Sequence, residues 1–169
     1  QHSMPFIRAF YMDERWDNAK PILHELNLSN DSSHKKVWEN SLKSLEDRGI
    51  SAFDYPPYSF KRKVGPGYYF AKEMFALTDG VPQGVIPAAV GGAPIESWLP
   101  SEEDNHFSAA IRRIEETGSN IKGVFWAQGE GNPKAAVYPS QIEKIRKALC
   151  EKTGKSVMPF VQMQSFKCT

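Results

Sequence analysis

The segment that most constrains the fold is residues 121–132, Ile-Lys-Gly-Val-Phe-Trp-Ala-Gln-Gly-Glu-Gly-Asn. Its first half is apolar and aromatic, as in a buried strand, and its second half is a polar loop interrupted by glycine. In α/β proteins ligands bind where the strands end, and Gln128, Glu130 and Asn132 lie within five residues of one another there. The pattern therefore predicts an α/β protein with site residues at this strand end.

A second junction between a strand and a loop covers residues 84–98, in which Gly91 and Gly92 directly follow an apolar run. The two junctions suggest one shared site. Gly92 offers a backbone N–H that no side chain obstructs, and Gln128 offers an amide N–H from a neighbouring strand end. Two converging donors are what an oxyanion hole requires. On spacing alone, the alternative is a tight turn at Gly91-Gly92 and an ordinary polar loop residue at Gln128.

The C-terminal half alternates between strands and helices with short connections, which predicts a parallel sheet with right-handed crossovers. The predicted strands cover residues 85–90, 121–126 and 157–163. The helix between the first two strands ends at Gly118, and its predicted inner face consists of Phe107, Ala110, Ile111 and Ile114. The helix between the last two strands runs from Pro139 to Gly154, and its predicted inner face consists of Ile142, Ile145, Ala148 and Leu149.

The N-terminal half is less regular. The apolar run over residues 6–11 predicts a strand, and residues 32–48 have a helical pattern on a polar background, as in a peripheral helix. Gly65-Pro-Gly67 closes a loop and opens a helix over residues 68–77. The predicted inner face of that last helix consists of Tyr69, Phe70, Met74 and Leu77.

Length and charge exclude several classes of partner. At 169 residues the chain fits one domain, and its net charge is +1. A nucleic-acid surface needs clustered Lys and Arg, whereas the densest basic run, Lys61-Arg62-Lys63, is short. No apolar stretch approaches the roughly 20 residues that cross a bilayer. We therefore expect neither a nucleic-acid partner nor a membrane span.

Two cysteines and two glycosylation triplets bear on the compartment. Cys150 and Cys168 are the only cysteines, which excludes a disulfide framework or a zinc cluster from this chain alone. One disulfide between them and two separate thiols both remain open. The triplets Asn-Leu-Ser at 27–29 and Asn-Asp-Ser at 30–32 lie in a polar segment. They favour a secreted, extracellular or lysosomal location.

Three motifs together resemble one hydrolase family. They are residues 65–73 (Gly-Pro-Gly-Tyr-Tyr-Phe-Ala-Lys-Glu), 89–98 (Ala-Val-Gly-Gly-Ala-Pro-Ile-Glu-Ser-Trp) and 126–132 (Trp-Ala-Gln-Gly-Glu-Gly-Asn), with a further likeness over residues 7–21. In this order and at these separations they resemble the sialate O-acetylesterase and carbohydrate acetylesterase branch of the SGNH hydrolases. The resemblance implies a single domain over residues 1–169 with a flavodoxin-like, three-layer α/β/α fold and a mostly parallel sheet.

The resemblance also implies an activity and a site. The activity is that of a serine esterase that removes O-acetyl groups from sialic acid or an acetylated polysaccharide, with no metal or organic cofactor. Gly92 and Gln128 would be the oxyanion-hole donors, and Glu130 would support their loop. Trp98 and Asn132 would contact the substrate.

The chain departs from the family pattern in its catalytic pair. The Gly-Gln-Ser-Asn motif that carries the family's nucleophile, expected upstream of Ile7, is not found, and Gln1-His-Ser3 is only a superficial echo of it. The Asp-x-x-His motif that carries the base, expected near the C-terminal end of the domain, is not found in that part of the chain either. We therefore expect the central portion of an esterase domain, lacking the strand with the serine and the segment with the histidine. We expect none of the four histidines to be the base, because His2, His24 and His34 lie in the N-terminal segment and His106 follows Asp104 at the wrong spacing and chain position.

Two alternatives to a complete esterase follow from that departure. One is a non-catalytic carbohydrate-binding or structural protein that keeps the esterase scaffold. The other is an enzyme completed by a second chain, which exposed apolar sheet edges would favour because lost strands leave unpaired ladders.

Overall fold

The computed structural model describes residues 5–51, 65–118, 120–128 and 136–163. The chain separates into two compact units, Gln1–Ala89 and Val90–Thr169. Two short 3-10 helices, Leu26–Leu28 and Ile95–Trp98, accompany the regular elements. Within the described ranges these are β1 (Ile7–Phe10), β2 (Trp16–Asn18), α1 (Ser32–Glu46), α2 (Pro66–Leu77), β3 (Gln83–Val85), α3 (His106–Glu116), β4 (Val124–Trp126), α4 (Tyr138–Thr153) and β5 (Phe160–Gln162).

The sheet of the first unit has the order β2-β1-β3. Strand β1 pairs antiparallel with β2 and parallel with β3. Its residues Ile7 and Ala9 are fully buried and pack with Tyr68 and Ala71 of α2 in one apolar core. The strand predicted over residues 6–11 is therefore confirmed as β1. The antiparallel partner β2, Trp-Asp-Asn, was not predicted because three residues of mixed polarity have no strand pattern.

The inner face predicted for α2 is wrong at two of its four positions, since Phe70 and Met74 are half-buried but Tyr69 and Leu77 are exposed. Tyr69 and Leu77 are 50% and 70% exposed, whereas Tyr68 and Ala71 are buried and Phe75 packs against the same core. The buried positions follow helical spacing on a neighbouring face. Periodicity could not choose between the two faces because apolar residues surround this helix on several sides. Its predicted start is confirmed, with Gly65 as N-cap and Pro66 in the first turn.

A buried polar cluster precedes and enters α1. Ser29, Asp31 and His34 are 2%, 4% and 0% exposed. The Ser29 hydroxyl lies 2.9 Å from Nδ1 of His34 and 3.3 Å from Oδ2 of Asp31, and it accepts the backbone N–H of Asp31 at 3.2 Å. The cluster thus fixes the chain where α1 begins. The sequence predicted the helix, but it indicated a solvated polar segment here rather than a buried network.

Half-buried Tyr11 makes a second set of polar contacts in this unit. Its hydroxyl donates to the carbonyl of Asn18 at 3.1 Å and accepts the backbone N–H of Lys20 at 2.9 Å. Burial raises the pKa of the Tyr11 phenol above its ordinary value. The neutral phenol thereby joins the end of β1 to the residues that follow β2.

The second unit contains the parallel pair β4 and β5, joined through α4. The apolar stripe predicted for α4 is confirmed, because Ile142, Ile145, Ala148 and Leu149 are all buried. Its predicted stop is confirmed as well, with Gly154 in the left-handed region at φ 66°. Helix α3 buries Phe107 and Ile111 as predicted, and it also buries Arg113 completely.

The strand predicted over residues 85–90 is displaced in the structure. Strand β3 ends at Val85, and residues 86–90 have no regular secondary structure. Pro87 lies inside this run and Gly91-Gly92 follow it, and proline cannot donate to a ladder. Among the described residues, no helix is long and apolar enough to cross a bilayer. The fold class itself, α/β with parallel strand pairing, is confirmed.

Replacing Gly123 should destabilise the second unit. A Cβ there would lie 3.1 Å from the carbonyl oxygen of Pro159, which already accepts the N–H of Val124 at 2.8 Å and cannot retreat without breaking that bond. We expect Gly123→Ala to lower the free energy of unfolding by about 1 kcal/mol. Chemical denaturation measures it. Gly65→Ser is the control, because that N-cap has open space around its Cβ and should not lose stability.

Removing the Ser29 hydroxyl should destabilise the first unit. Ser29→Ala deprives Asp31 and His34 of the hydroxyl that they share, and a buried polar group that loses its partner costs about 1–3 kcal/mol. Denaturant titration of both proteins measures the difference. Ser33→Ala in the first turn of α1 is the control, since its buried hydroxyl has no hydrogen-bond partner among the described residues. Equal stability of the two variants would contradict this account.

Candidate active site

The glycine loop of the second unit forms an exposed turn. Gly92 has φ 76°, in the left-handed region that favours glycine, and a Cβ there would meet nothing within 4 Å. Its backbone is therefore approachable from solvent. The loop then leads through Pro94 into the 3-10 helix Ile95–Trp98. A residue other than glycine would be disfavoured at this position by backbone strain, and not by a clash with a neighbouring residue.

Gln128 follows the end of β4 by two residues and is half-buried. Its Nε2 donates a hydrogen bond to the carbonyl oxygen of Ala93 at 3.3 Å. The contact joins the exit of β4 to the residue directly after Gly92. The two junctions that the sequence singled out are thus neighbours in the second unit. An amide nitrogen carries two protons and can therefore donate to two acceptors at once.

Tyr138, the first residue of α4, touches the same strand exit. Its hydroxyl accepts the indole N–H of Trp126 at 3.0 Å and donates to the carbonyl oxygen of Gln128 at 2.8 Å. Both distances are ordinary for hydrogen bonds. One phenol therefore links the last residue of β4 to the backbone of Gln128.

An aromatic cluster surrounds Trp126, the last residue of β4. Trp98 packs edge-on against Trp126 with 5.6 Å between ring centroids, and the two indoles are 7% and 8% exposed. His106, at the start of α3, lies 5.3 Å from Trp98, and Phe160 of β5 lies 5.8 Å from Trp126. Such pairs contribute about 0.5–1.5 kcal/mol beyond the area they bury. The cluster fixes the 3-10 helix against the strand pair.

A further hydrogen bond holds the segment after the glycine loop. Nε2 of Gln141, on α4, donates to a carboxylate oxygen of Glu96 at 3.2 Å. Glu96 is exposed and belongs to the 3-10 helix. Asn105 adds a bond from its side-chain amide to the carbonyl of Leu99 at 2.8 Å, while capping α3. Both ends of the 3-10 helix are therefore tied to α-helices.

The predicted site residues have different outcomes. Gly92 and Gln128 lie in adjoining loops, as described above. Glu130 and Asn132 lie outside the described residues, as does Cys168. Trp98 is buried and packs against Trp126 and His106, and its contact with substrate stays a prediction. A groove of about 590 Å³ in the first unit, beside Trp16, contains none of the predicted site residues.

The histidines of the described chain have structural neighbours. Nε2 of His24 accepts the backbone N–H of Ala89 at 3.2 Å, and His106 packs on Trp98. Ser29, Asp31 and His34 are of the residue types that form a hydrolase triad, but their geometry differs. Serine and carboxylate bind opposite nitrogens of the imidazole in a triad, whereas here both lie at Nδ1. With exposures of 4% or less, this cluster is structural.

Tyr138 and Gln141 were missed by the sequence analysis. Each stands on the first turn of a correctly predicted helix, and their partners lie 10 or more residues away in sequence. The only available signal was position. A helix that follows a strand in a βαβ unit begins near the strand's carboxyl end, so polar side chains in its first turn are close to the site.

Comparisons with known proteins agree with this architecture. A probable carbohydrate esterase of Arabidopsis thaliana is 31% identical over 110 residues, covering 59% of this chain and 41% of that protein. The crystal structure of a protein from the same plant has a TM-score of 0.66 at 23% identity, covering 94% of this chain and 56% of that one, and it shows the fold. A carbohydrate acetylesterase from Xanthomonas citri has a TM-score of 0.52 at 27% identity, covering 63% and 27%.

The chain spans 41% of the curated Arabidopsis relative and 56% of the solved Arabidopsis chain, about half their length. The family described as carbohydrate esterase, sialic acid-specific acetylesterase, matches residues 1–167. The three motifs had predicted this assignment, which is confirmed. By its sequence, this chain belongs to the family described as carbohydrate esterase, sialic acid-specific acetylesterase.

Proposed function

We propose that the protein hydrolyses O-acetyl esters on sugars, and that this chain provides the oxyanion-hole loops. The observation that carries the proposal is the hydrogen bond from Gln128 to the carbonyl of Ala93, which joins two loops that each offer a donor. Family membership supports an esterase, and the acetyl preference is supported by the name of the Xanthomonas citri relative. The substrate would be sialic acid or an acetylated polysaccharide.

The chemistry requires donors where negative charge develops. A serine hydroxyl attacks the acetyl carbon and passes its proton to a histidine, and the carbonyl oxygen becomes an oxyanion. Collapse of the tetrahedral intermediate expels the sugar hydroxyl with that proton, and water then releases acetate. The nucleophilic serine and the basic histidine are not assigned to residues of this chain.

The N–H of Gly92 and the side-chain amide of Gln128 would stabilise the oxyanion. The hydrogen bond to Ala93 orients that amide, so that the donor needs no reorganisation during the reaction. Glu130 would support this loop, and Asn132 and Trp98 would contact the sugar. No cofactor takes part in this scheme.

Loss of the Gln128 amide should slow the chemical step. We expect Gln128→Ala in the full-length protein to lower kcat about 100-fold or more with little change in KM, because the donor acts on charge that exists only in the transition state. Gln128→Glu should be at least as slow, since a carboxylate repels both the oxyanion and the carbonyl of Ala93. Steady-state hydrolysis of 4-nitrophenyl acetate measures both.

A glutamine of the other unit provides the matched control. Gln83 is half-buried and donates to the carbonyl of Val81 at 2.8 Å, so Gln83→Ala removes an amide of the same kind outside the proposed site. Its kcat should equal that of the unaltered protein. A Gln128→Ala protein that is folded and fully active would refute the oxyanion role.

Labelling tests whether the protein is an esterase at all. A fluorophosphonate probe reacts with an activated serine, and mass spectrometry of the protein from its natural source identifies the labelled peptide. We expect a labelled serine that lies outside residues 5–51, 65–118, 120–128 and 136–163. A label on a described serine such as Ser29 would overturn the site assignment. Absence of label on folded protein would favour the non-catalytic carbohydrate-binding alternative.

A further inference from the structure

Among the described residues, the last backbone hydrogen bond between β4 and β5 lies before Gln128. It joins the N–H of Met163 to the carbonyl of Trp126, at 2.8 Å. Within the same residues, a side-chain contact holds the backbone of Gln128 beyond that bond.

The hydroxyl of Tyr138 supplies that contact. It binds the indole N–H of Trp126 on one side and the carbonyl of Gln128 on the other, at 3.0 and 2.8 Å. The phenol has a single proton, and that proton is directed to Gln128. Since the indole of Trp126 is itself fixed against Trp98 and Phe160, the phenol transmits a rigid position to the peptide of Gln128.

The same helical turn also holds the other loop. Gln141 lies three residues after Tyr138, on the same side of α4, and donates to Glu96 at 3.2 Å. Glu96 follows Gly92 by four residues along the chain. The first turn of α4 thus binds both segments that carry a proposed oxyanion donor.

We infer that Tyr138 is a positioning residue of the esterase site, which holds the Gln128 amide at the distance that an oxyanion requires. The inference rests on the proposed function of Gln128. Tyr138 would not exchange protons with the substrate, because its proton is engaged with the Gln128 carbonyl. Its effect arises from geometry, to which catalytic rates are sensitive at the ångström scale.

The test is a double-mutant cycle in the full-length protein with 4-nitrophenyl acetate. Tyr138→Phe keeps the ring and removes the hydroxyl, and we expect kcat to fall about tenfold with KM unchanged. In a Gln128→Ala background the same substitution should cause no further fall, because Tyr138 acts through Gln128. A tenfold fall that persists in that background would overturn the inference, as would an unchanged kcat in the single variant.

A control and a second measurement separate this inference from the proposed function. Tyr69→Phe removes a phenol hydroxyl from a half-exposed residue of the other unit and should leave kcat unchanged. In nitrogen-15 spectra, the side-chain amide signals of Gln128, identified by their loss in Gln128→Ala, should shift in Tyr138→Phe. If the unaltered protein is folded but hydrolyses no acetyl ester, the proposed function fails. The amide shift then decides on Tyr138: a shift supports the contact, and unchanged signals refute it.

Discussion

The packing of Trp126 is the constraint on which the second unit depends. Its indole ends β4, meets Trp98 of the 3-10 helix and Phe160 of β5, and donates its one N–H to Tyr138 of α4. The ring of Trp126 therefore joins two strands, the 3-10 helix and α4. A large aromatic side chain suits this task because it combines extensive burial with a directional donor. This packing therefore fixes the positions of the loops that contain Gly92 and Gln128.

Much of the fold was predictable because the deciding signals are local. Helix α4 combines an amphipathic stripe, a proline in its first turn and Gly154 at its end, and each signal points to the same boundaries. Helix α2 shows what local sequence signals do not determine. Its start was set by Gly65 and Pro66, but its buried face was not, since the choice between neighbouring apolar faces depends on contact with Ile7 and Ala9 far away in the chain.

The candidate site divides in the same way. Gly92 and Gln128 could be singled out because glycine after an apolar run, and an amide after a strand, are sequence patterns with a physical meaning. Tyr138 could not, since nothing in a tyrosine before a proline indicates that its hydroxyl reaches the carbonyl of Gln128. The burial of His34 was equally hidden, because a polar sequence around a histidine is read as solvated until the fold encloses it.

The buried hydroxyl of Ser29 has a practical consequence for mutagenesis of the glycosylation triplet. Residues 27–29 form an acceptor triplet for N-linked glycans, and the usual way to abolish such a triplet is to replace its serine. Here that serine is also a structural hydrogen-bonding centre, so a phenotype from its replacement would mix lost glycan with lost fold. Asn27 is exposed. Replacing the asparagine alters the acceptor alone and separates the two effects.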